Sequence, residues 1–143
     1  MRRLACAALT LTLALGGTAL AAVQTVAVVH SGSATYVAGR TIVVRATVDL
    51  PNSCWSNPRF IAPARGVQPD ADGVVPIRIV ADSKEGDGIM CAMIFRPGVT
   101  APALRWRHYP AHGLTAVRLI GSRTPLVAPL TNEAHQEGST IQP

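Results

Sequence analysis

Apolar residues recur at every second position along much of this chain, a pattern typical of β-strands with one buried face. The clearest case is residues 41–50, which are rich in β-branched side chains. The alternation predicts that one face of this strand enters the core, carrying Ile42, Val44, Ala46, Val48 and Leu50. No stretch shows the 3.6-residue period of an amphipathic helix. The sequence therefore predicts an all-β fold.

Six further segments have the same β-prone character: residues 23–29, 74–81, 89–95, 103–108, 114–120 and 124–130. Pro76 removes a backbone donor and predicts an edge position or a bulge in its strand. About seven short strands between Pro and Gly turns predict a small antiparallel β-sandwich of immunoglobulin-like topology. This likeness is architectural, because Trp55 directly follows Cys54 and Ile89 stands where immunoglobulin domains have Tyr before the second Cys. No function is transferred from it.

The N-terminus has the organisation of a secretory signal peptide. Arg2 and Arg3 precede an apolar run over residues 4–15, and Ala19-Leu20-Ala21 has the small-x-small pattern of a cleavage site. A retained membrane anchor is the alternative, but Gly16 and Gly17 interrupt the run well short of about 20 residues. We predict a cleaved signal over 1–21, a sandwich domain over 22–130, and a disordered polar tail over 131–143. The product is expected to be secreted or periplasmic, without a membrane span after cleavage.

Two cysteines, Cys54 and Cys91, remain after Cys6 leaves with the signal. An even pair in an oxidising compartment predicts a disulfide. A redox or metal-binding thiol pair is the alternative, but the chain has no Cys-x-x-Cys motif and no histidine cluster beside either cysteine. We therefore expect one structural disulfide.

The motifs of several enzyme classes are missing from the sequence. It contains no Gly-x-Ser-x-Gly elbow, no His-Glu-x-x-His, no phosphate-binding glycine loop and no dinucleotide fingerprint. The net charge is +5, yet the arginines are scattered, whereas a nucleic-acid site concentrates them with stacking aromatics. We predict a protein that is not an enzyme, has no cofactor and does not bind nucleic acid.

Arg105, Arg107 and Tyr109 form the first candidate binding site. On a strand, the two arginines share one face, where their guanidinium groups can meet a carboxylate, a phosphate or a sulfated sugar. Trp106, between them, is expected to pack inward. The alternative is an exposed strand whose arginines only keep a sheet edge soluble. The predicted partner is a protein or an anionic ligand.

Trp55 is the second candidate, because it lies in a turn-rich loop beside Cys54. A rigid loop that presents an aromatic ring suits a protein or glycan contact. The alternative is that the ring packs against the disulfide and fills the core.

His108, His112 and Met90 form a candidate metal site, since imidazole and thioether groups are copper ligands. Pro110 lies between the histidines, so a turn would have to bring them together. The leading hypothesis is an exported, non-enzymatic binding or interaction module of the cell envelope or extracellular space. The alternative is a periplasmic copper carrier that uses histidine and methionine ligands.

Overall fold

The computed structural model describes residues 21–37, 40–86, 88–107 and 113–132. These residues form β-strands and contain no helix, which confirms the all-β prediction. The nine strands are β1 (Ala22–Thr25), β2 (Val28–Val37), β3 (Thr41–Leu50), β4 (Trp55–Phe60), β5 (Val74–Ser83), β6 (Arg96–Thr100), β7 (Leu104–Arg107), β8 (Ala116–Ile120) and β9 (Leu126–Asn132). Within this part of the chain, no helix has the length and apolar character needed to cross a membrane.

The strands form one mixed sheet that curls into a half-barrel. Its order is β1-β5-β8-β9-β2-β3-β6, with β4 also paired to β5 and β7 also paired to β3. The β2–β9 and β5–β8 pairs are parallel, so the prediction of a wholly antiparallel sheet is wrong, and an immunoglobulin-like sandwich is not confirmed. Alternation within a strand specifies which face is buried, but it carries no information about the direction of the neighbouring strand.

The core lies on the concave side of the half-barrel, and β3 and β5 contribute most of it. All five residues predicted to face inward on β3 are buried. The alternation of the segment 74–81 likewise places Val75, Ile77, Ile79 and Ala81 inward, and all four are buried on β5. Pro76 lies in the half of β5 that is in register with β8, while β1 and β4 pair with the other half. For β8, the alternation favours Thr115, Val117 and Leu119 as the inward set; Val117 and Leu119 are buried, but Thr115 is exposed and Ala116 is buried in its place.

Two predicted strands need correction. Residues 23–29 are divided between β1, which pairs with β5, and β2, which pairs with β3. Residues 89–95 form no strand, although their composition favours one, and the next strand begins only at Arg96. The side chains of this segment point to solvent instead of packing on the sheet, so its β-propensity is not realised.

Strand β9 begins and ends two residues later than the predicted segment 124–130, and it lies inside the sheet. It lies between β8 and β2, so it is not an edge strand. Thr131 and Asn132, predicted to begin the tail, pair with Thr35 and Tyr36. Most of the predicted tail lies outside the described residues, as does the predicted signal peptide up to residue 20.

The predicted disulfide is confirmed: Cys54 and Cys91 are bonded, with 5.4 Å between their Cα atoms. It joins the turn before β4 to the irregular segment before β6. The buried Asn52 orders this turn, because its Oδ1 accepts a hydrogen bond from the Cys54 N–H at 2.9 Å while its Nδ2 donates to Glu85. The disulfide is therefore part of a fixed turn at one end of the sheet.

Candidate anion-binding pocket

A pocket opens where the two ends of the curled sheet face each other. One wall is the segment that follows β4, and the other is β7. The volume is about 440 Å³, and the lining residues are Pro63, Arg65, Gly66, Arg105, Trp106 and Arg107. We call it the seam pocket.

Strand β7 positions two of the pocket arginines. It pairs antiparallel with the start of β3, where Trp106 lies opposite Ile42. Trp106 is 8% exposed and belongs to the core, as predicted. Arg105 and Arg107 point the other way and are exposed. Because side chains alternate along a strand, the Trp106 indole packs into the core while both guanidinium groups lie on the opposite face.

Arg65 is the third pocket arginine, and sequence reasoning missed it. It lies in a turn in which the Val67 N–H donates to the Ala64 carbonyl oxygen at 3.2 Å. Val67 packs against the core and fixes this turn to the domain. The local sequence signals only a turn between Pro63 and Gly66. Nothing in the sequence indicates that Arg65 faces β7 across the opening of the sheet.

The pocket is electrostatically positive. In the described part of the chain, the ion pairs are His30–Asp49, Arg59–Asp82 and Arg118–Asp70, and none of them involves a pocket arginine. No carboxylate of the described residues lines the pocket either. Each guanidinium carries five N–H donors in a planar fork that matches the geometry of carboxylate and phosphate. The arrangement is suited to holding an anionic group.

The other candidate residues lie elsewhere. Trp55 is 6% exposed and packs in the core, so it does not present its ring on the surface, and the alternative of core packing describes its position. Its carbonyl oxygen accepts a hydrogen bond from Arg96. Its indole nitrogen is buried without a hydrogen-bond partner among the described residues.

The predicted copper site is only partly within the described residues. His108 and His112 lie outside them, as does Tyr109 of the first candidate site. Met90 is 97% exposed and lies next to the disulfide. No group of three or more His, Cys, Asp or Glu side chains in the described ranges is placed to hold a metal ion. The copper hypothesis stays a prediction.

Asp82 forms a small polar cluster on β5. Its carboxylate accepts a hydrogen bond from the Asn57 amide at 3.1 Å and another from Arg59 at 2.7 Å. The Asn57 hydrogen bond, followed by that of Arg59, lowers the pKa of Asp82 below its ordinary value. Both donors stabilise the charged form of the carboxylate.

A pH titration of Asp82 by NMR should therefore give a pKa below the ordinary value of about 3.9. Because the pKa is lower in the folded state, the stabilising contribution is present above the ordinary pKa and is lost as the pH falls through the lowered one. Asn57→Ala should move the Asp82 pKa upward, because one hydrogen bond to the carboxylate is removed. A parent Asp82 that titrates at or above the ordinary value would contradict the geometry.

No protein-family model matches the chain, and no curated protein or solved structure matches it. Inferences about function therefore rest on the residues of the chain and their arrangement.

Proposed function

We propose that the protein is an exported, non-enzymatic binding module that holds an anionic group in the seam pocket. The observation that supports this most is the convergence of Arg65, Arg105 and Arg107 from two separate elements on one pocket. No carboxylate within the described residues neutralises them there. Grouping like charges costs electrostatic energy, and an anion that binds between them relieves it.

The ligand class follows from the geometry of the arginines. Guanidinium groups form paired, charge-assisted hydrogen bonds with carboxylate, phosphate and sulfate oxygens. A volume of about 440 Å³ lies within the range of small-molecule sites. The pocket therefore suits a small anion or one anionic group of a larger partner, such as a sulfated sugar or an acidic side chain.

Export is the second part of the proposal. The predicted signal peptide supports it, and the Cys54–Cys91 disulfide is compatible with an oxidising compartment. Strand β1 begins at Ala22, the residue predicted to be the first of the mature chain. Cleavage before Ala22 would therefore leave every strand of the described fold intact.

The test is an Arg105→Ala plus Arg107→Ala variant, assayed for retention on an array of immobilised phosphate, sulfated sugar and carboxylate ligands. We expect the variant to fold normally, since both side chains are exposed. Its affinity should fall at least about a hundredfold, because each charge-assisted hydrogen bond contributes about 1.5–3 kcal/mol. Retention of the parent should also weaken with added salt.

The matched control is Arg45→Ala plus Arg78→Ala. These arginines are also exposed strand residues, on β3 and β5, and neither lines the seam pocket. The control changes the net charge by the same amount, so it separates the pocket from a general effect of charge. Equal retention by the pocket variant and the parent would exclude the proposal.

A further inference from the structure

A contiguous apolar surface lies at the end of the molecule that carries the disulfide. It is formed by residues 89–95, which we call the apolar loop. Met90 is 97% exposed and Met93 is 87% exposed, and three more large side chains of the loop are exposed: Ile89, Ile94 and Phe95. The other exposed large apolar residues of the described chain are Val23, Ile61 and Val127. A continuous run of this kind marks an interaction surface more often than scattered residues do.

The apolar loop is held in place. The disulfide joins Cys91 to Cys54. Ser53 forms hydrogen bonds with both the carbonyl oxygen and the N–H of Ala92. The Ser53 N–H donates to the Ala92 carbonyl oxygen at 3.1 Å, and the Ala92 N–H donates to the Ser53 Oγ at 2.8 Å. The Ile94 N–H also donates to the Ala92 carbonyl oxygen, at 2.7 Å, which forms a tight turn at Met93. The exposure of these side chains is thus a fixed feature of the fold.

Three basic residues lie near the apolar loop. Arg96 follows Phe95 directly, and Arg123 lines a shallow pocket together with Phe95. Lys84 lies beside the disulfide, since its backbone N–H donates to the Cys54 carbonyl oxygen at 3.3 Å. Two described carboxylates also lie at this end: Glu85 accepts a hydrogen bond from Asn52, and Asp49, which lines the same shallow pocket, contacts His30 and the Gly98 N–H. Asp87 lies outside the described residues.

The N-terminal segment joins the domain at the same end. Ala22 pairs with Ser83 of β5, and Ser83 also pairs with Trp55, the residue after Cys54. The apolar residues 4–15, which carry the predicted export signal, therefore precede a point close to the disulfide and the apolar loop.

We propose that the apolar loop docks reversibly on the surface of an anionic lipid bilayer. Its methionine, isoleucine and phenylalanine side chains enter the interface between headgroups and acyl chains, while Lys84 and Arg123 face the lipid phosphates. Residues 89–95 form no strand and leave backbone groups without sheet partners. Deep insertion would strip these groups of water, so the contact stays at headgroup depth.

This site is separate from the seam pocket. Leu50 at one end of β3 pairs with Arg96, and Thr41 at the other end pairs with Arg107. At about 3.3 Å per residue, roughly 30 Å of strand lies between the two positions. A protein docked through the apolar loop therefore keeps the seam pocket open to solution, and the membrane proposal does not rest on the anion site.

The experiment is co-sedimentation with vesicles of mixed phosphatidylglycerol and phosphatidylcholine, and with vesicles of phosphatidylcholine alone. The exported protein is used with its disulfide intact and its N-terminus defined by mass spectrometry, so that parent and variants share the same ends. We expect the affinity for the anionic vesicles to fall about tenfold or more in Met93→Ser plus Phe95→Ser. The variant loses the free energy that the parent gains by moving two large apolar side chains from water into the bilayer interface. Lys84→Gln plus Arg123→Gln should weaken binding to anionic vesicles as well.

Two control variants define the result. Ile61→Ser plus Val127→Ser removes exposed apolar side chains outside the loop and should bind vesicles like the parent. Arg105→Ala plus Arg107→Ala should also bind like the parent, which separates this proposal from the anion pocket. The proposal is overturned if the parent does not bind anionic vesicles, if the loop variant binds equally well, or if the pocket variant loses binding. It is also overturned if analytical ultracentrifugation shows self-association that the loop variant abolishes, because a second copy then covers the loop.

Discussion

The Cys54→Ser plus Cys91→Ser variant is expected to lose up to about 4 kcal/mol in the free energy of unfolding. The bridge spans a sequence separation of 37 residues, and closing a loop of that size restricts the unfolded chain by about this amount. It is also the covalent link between the turn before β4 and the apolar loop. Urea denaturation, with the midpoint and slope measured for both proteins, gives the difference directly.

The matched control for the disulfide is Ser53→Ala. It leaves the bridge intact but removes the hydrogen bond from the Ala92 N–H to the Ser53 Oγ. Its cost should be only about 1 kcal/mol, the usual contribution of one hydrogen bond. If the double serine variant unfolds at the same urea concentration as the parent, the disulfide does not stabilise the fold as described.

Gly73→Ala is expected to destabilise the protein by about 3 kcal/mol, through overpacking and backbone strain. Gly73 has a φ of 76°, in the left-handed region, and an added Cβ would overlap the Gly113 carbonyl oxygen and lie 2.9 Å from Thr115 Oγ1. This overlap can be removed only if the backbone moves, because the Thr115 N–H donates to the Gly73 carbonyl oxygen at 2.8 Å and holds the two segments together. This turn fixes the start of β8 against β5.

Gly66→Ala is the control for this prediction. Gly66 has nearly the same φ, 75°, but apart from its chain neighbours no atom of the described residues lies within 4 Å of an added Cβ. It should therefore show only the strain of the left-handed backbone, about 1 kcal/mol. Thermal unfolding of both variants separates backbone strain from steric overlap. Equal destabilisation by the two substitutions would show that the contact with Gly113 does not limit this turn.

The buried strands were the most predictable part of the fold. In β3 and β5, one face is buried along the whole strand, so the alternation in the sequence maps directly onto the core. The disulfide was predictable because the predicted mature chain holds one pair of cysteines. The parallel pairing of β5 with β8 could not be predicted, since the relative direction of two strands depends on the path of the chain that connects them.

The apolar loop and the seam pocket depend on contacts between distant segments, which local sequence patterns do not predict. Residues 89–95 have the composition of a strand, but they lie at the end of the sheet, and none of the described strands pairs with them. Arg105 and Arg107 could be predicted as a pair from the period of two. Arg65 could not, because it meets them only when the two ends of the sheet curl toward each other.

NMR titration of the disulfide-bonded protein with inorganic phosphate and with sulfate is the most direct test of the anion site. The expected result is saturable shifts concentrated on the side-chain signals of Arg65, Arg105 and Arg107 and on the indole of Trp106. These shifts should be absent in the Arg105→Ala plus Arg107→Ala variant. Shifts spread evenly over all arginines, or no saturable shifts at the seam pocket, would contradict the proposal that this pocket binds an anion.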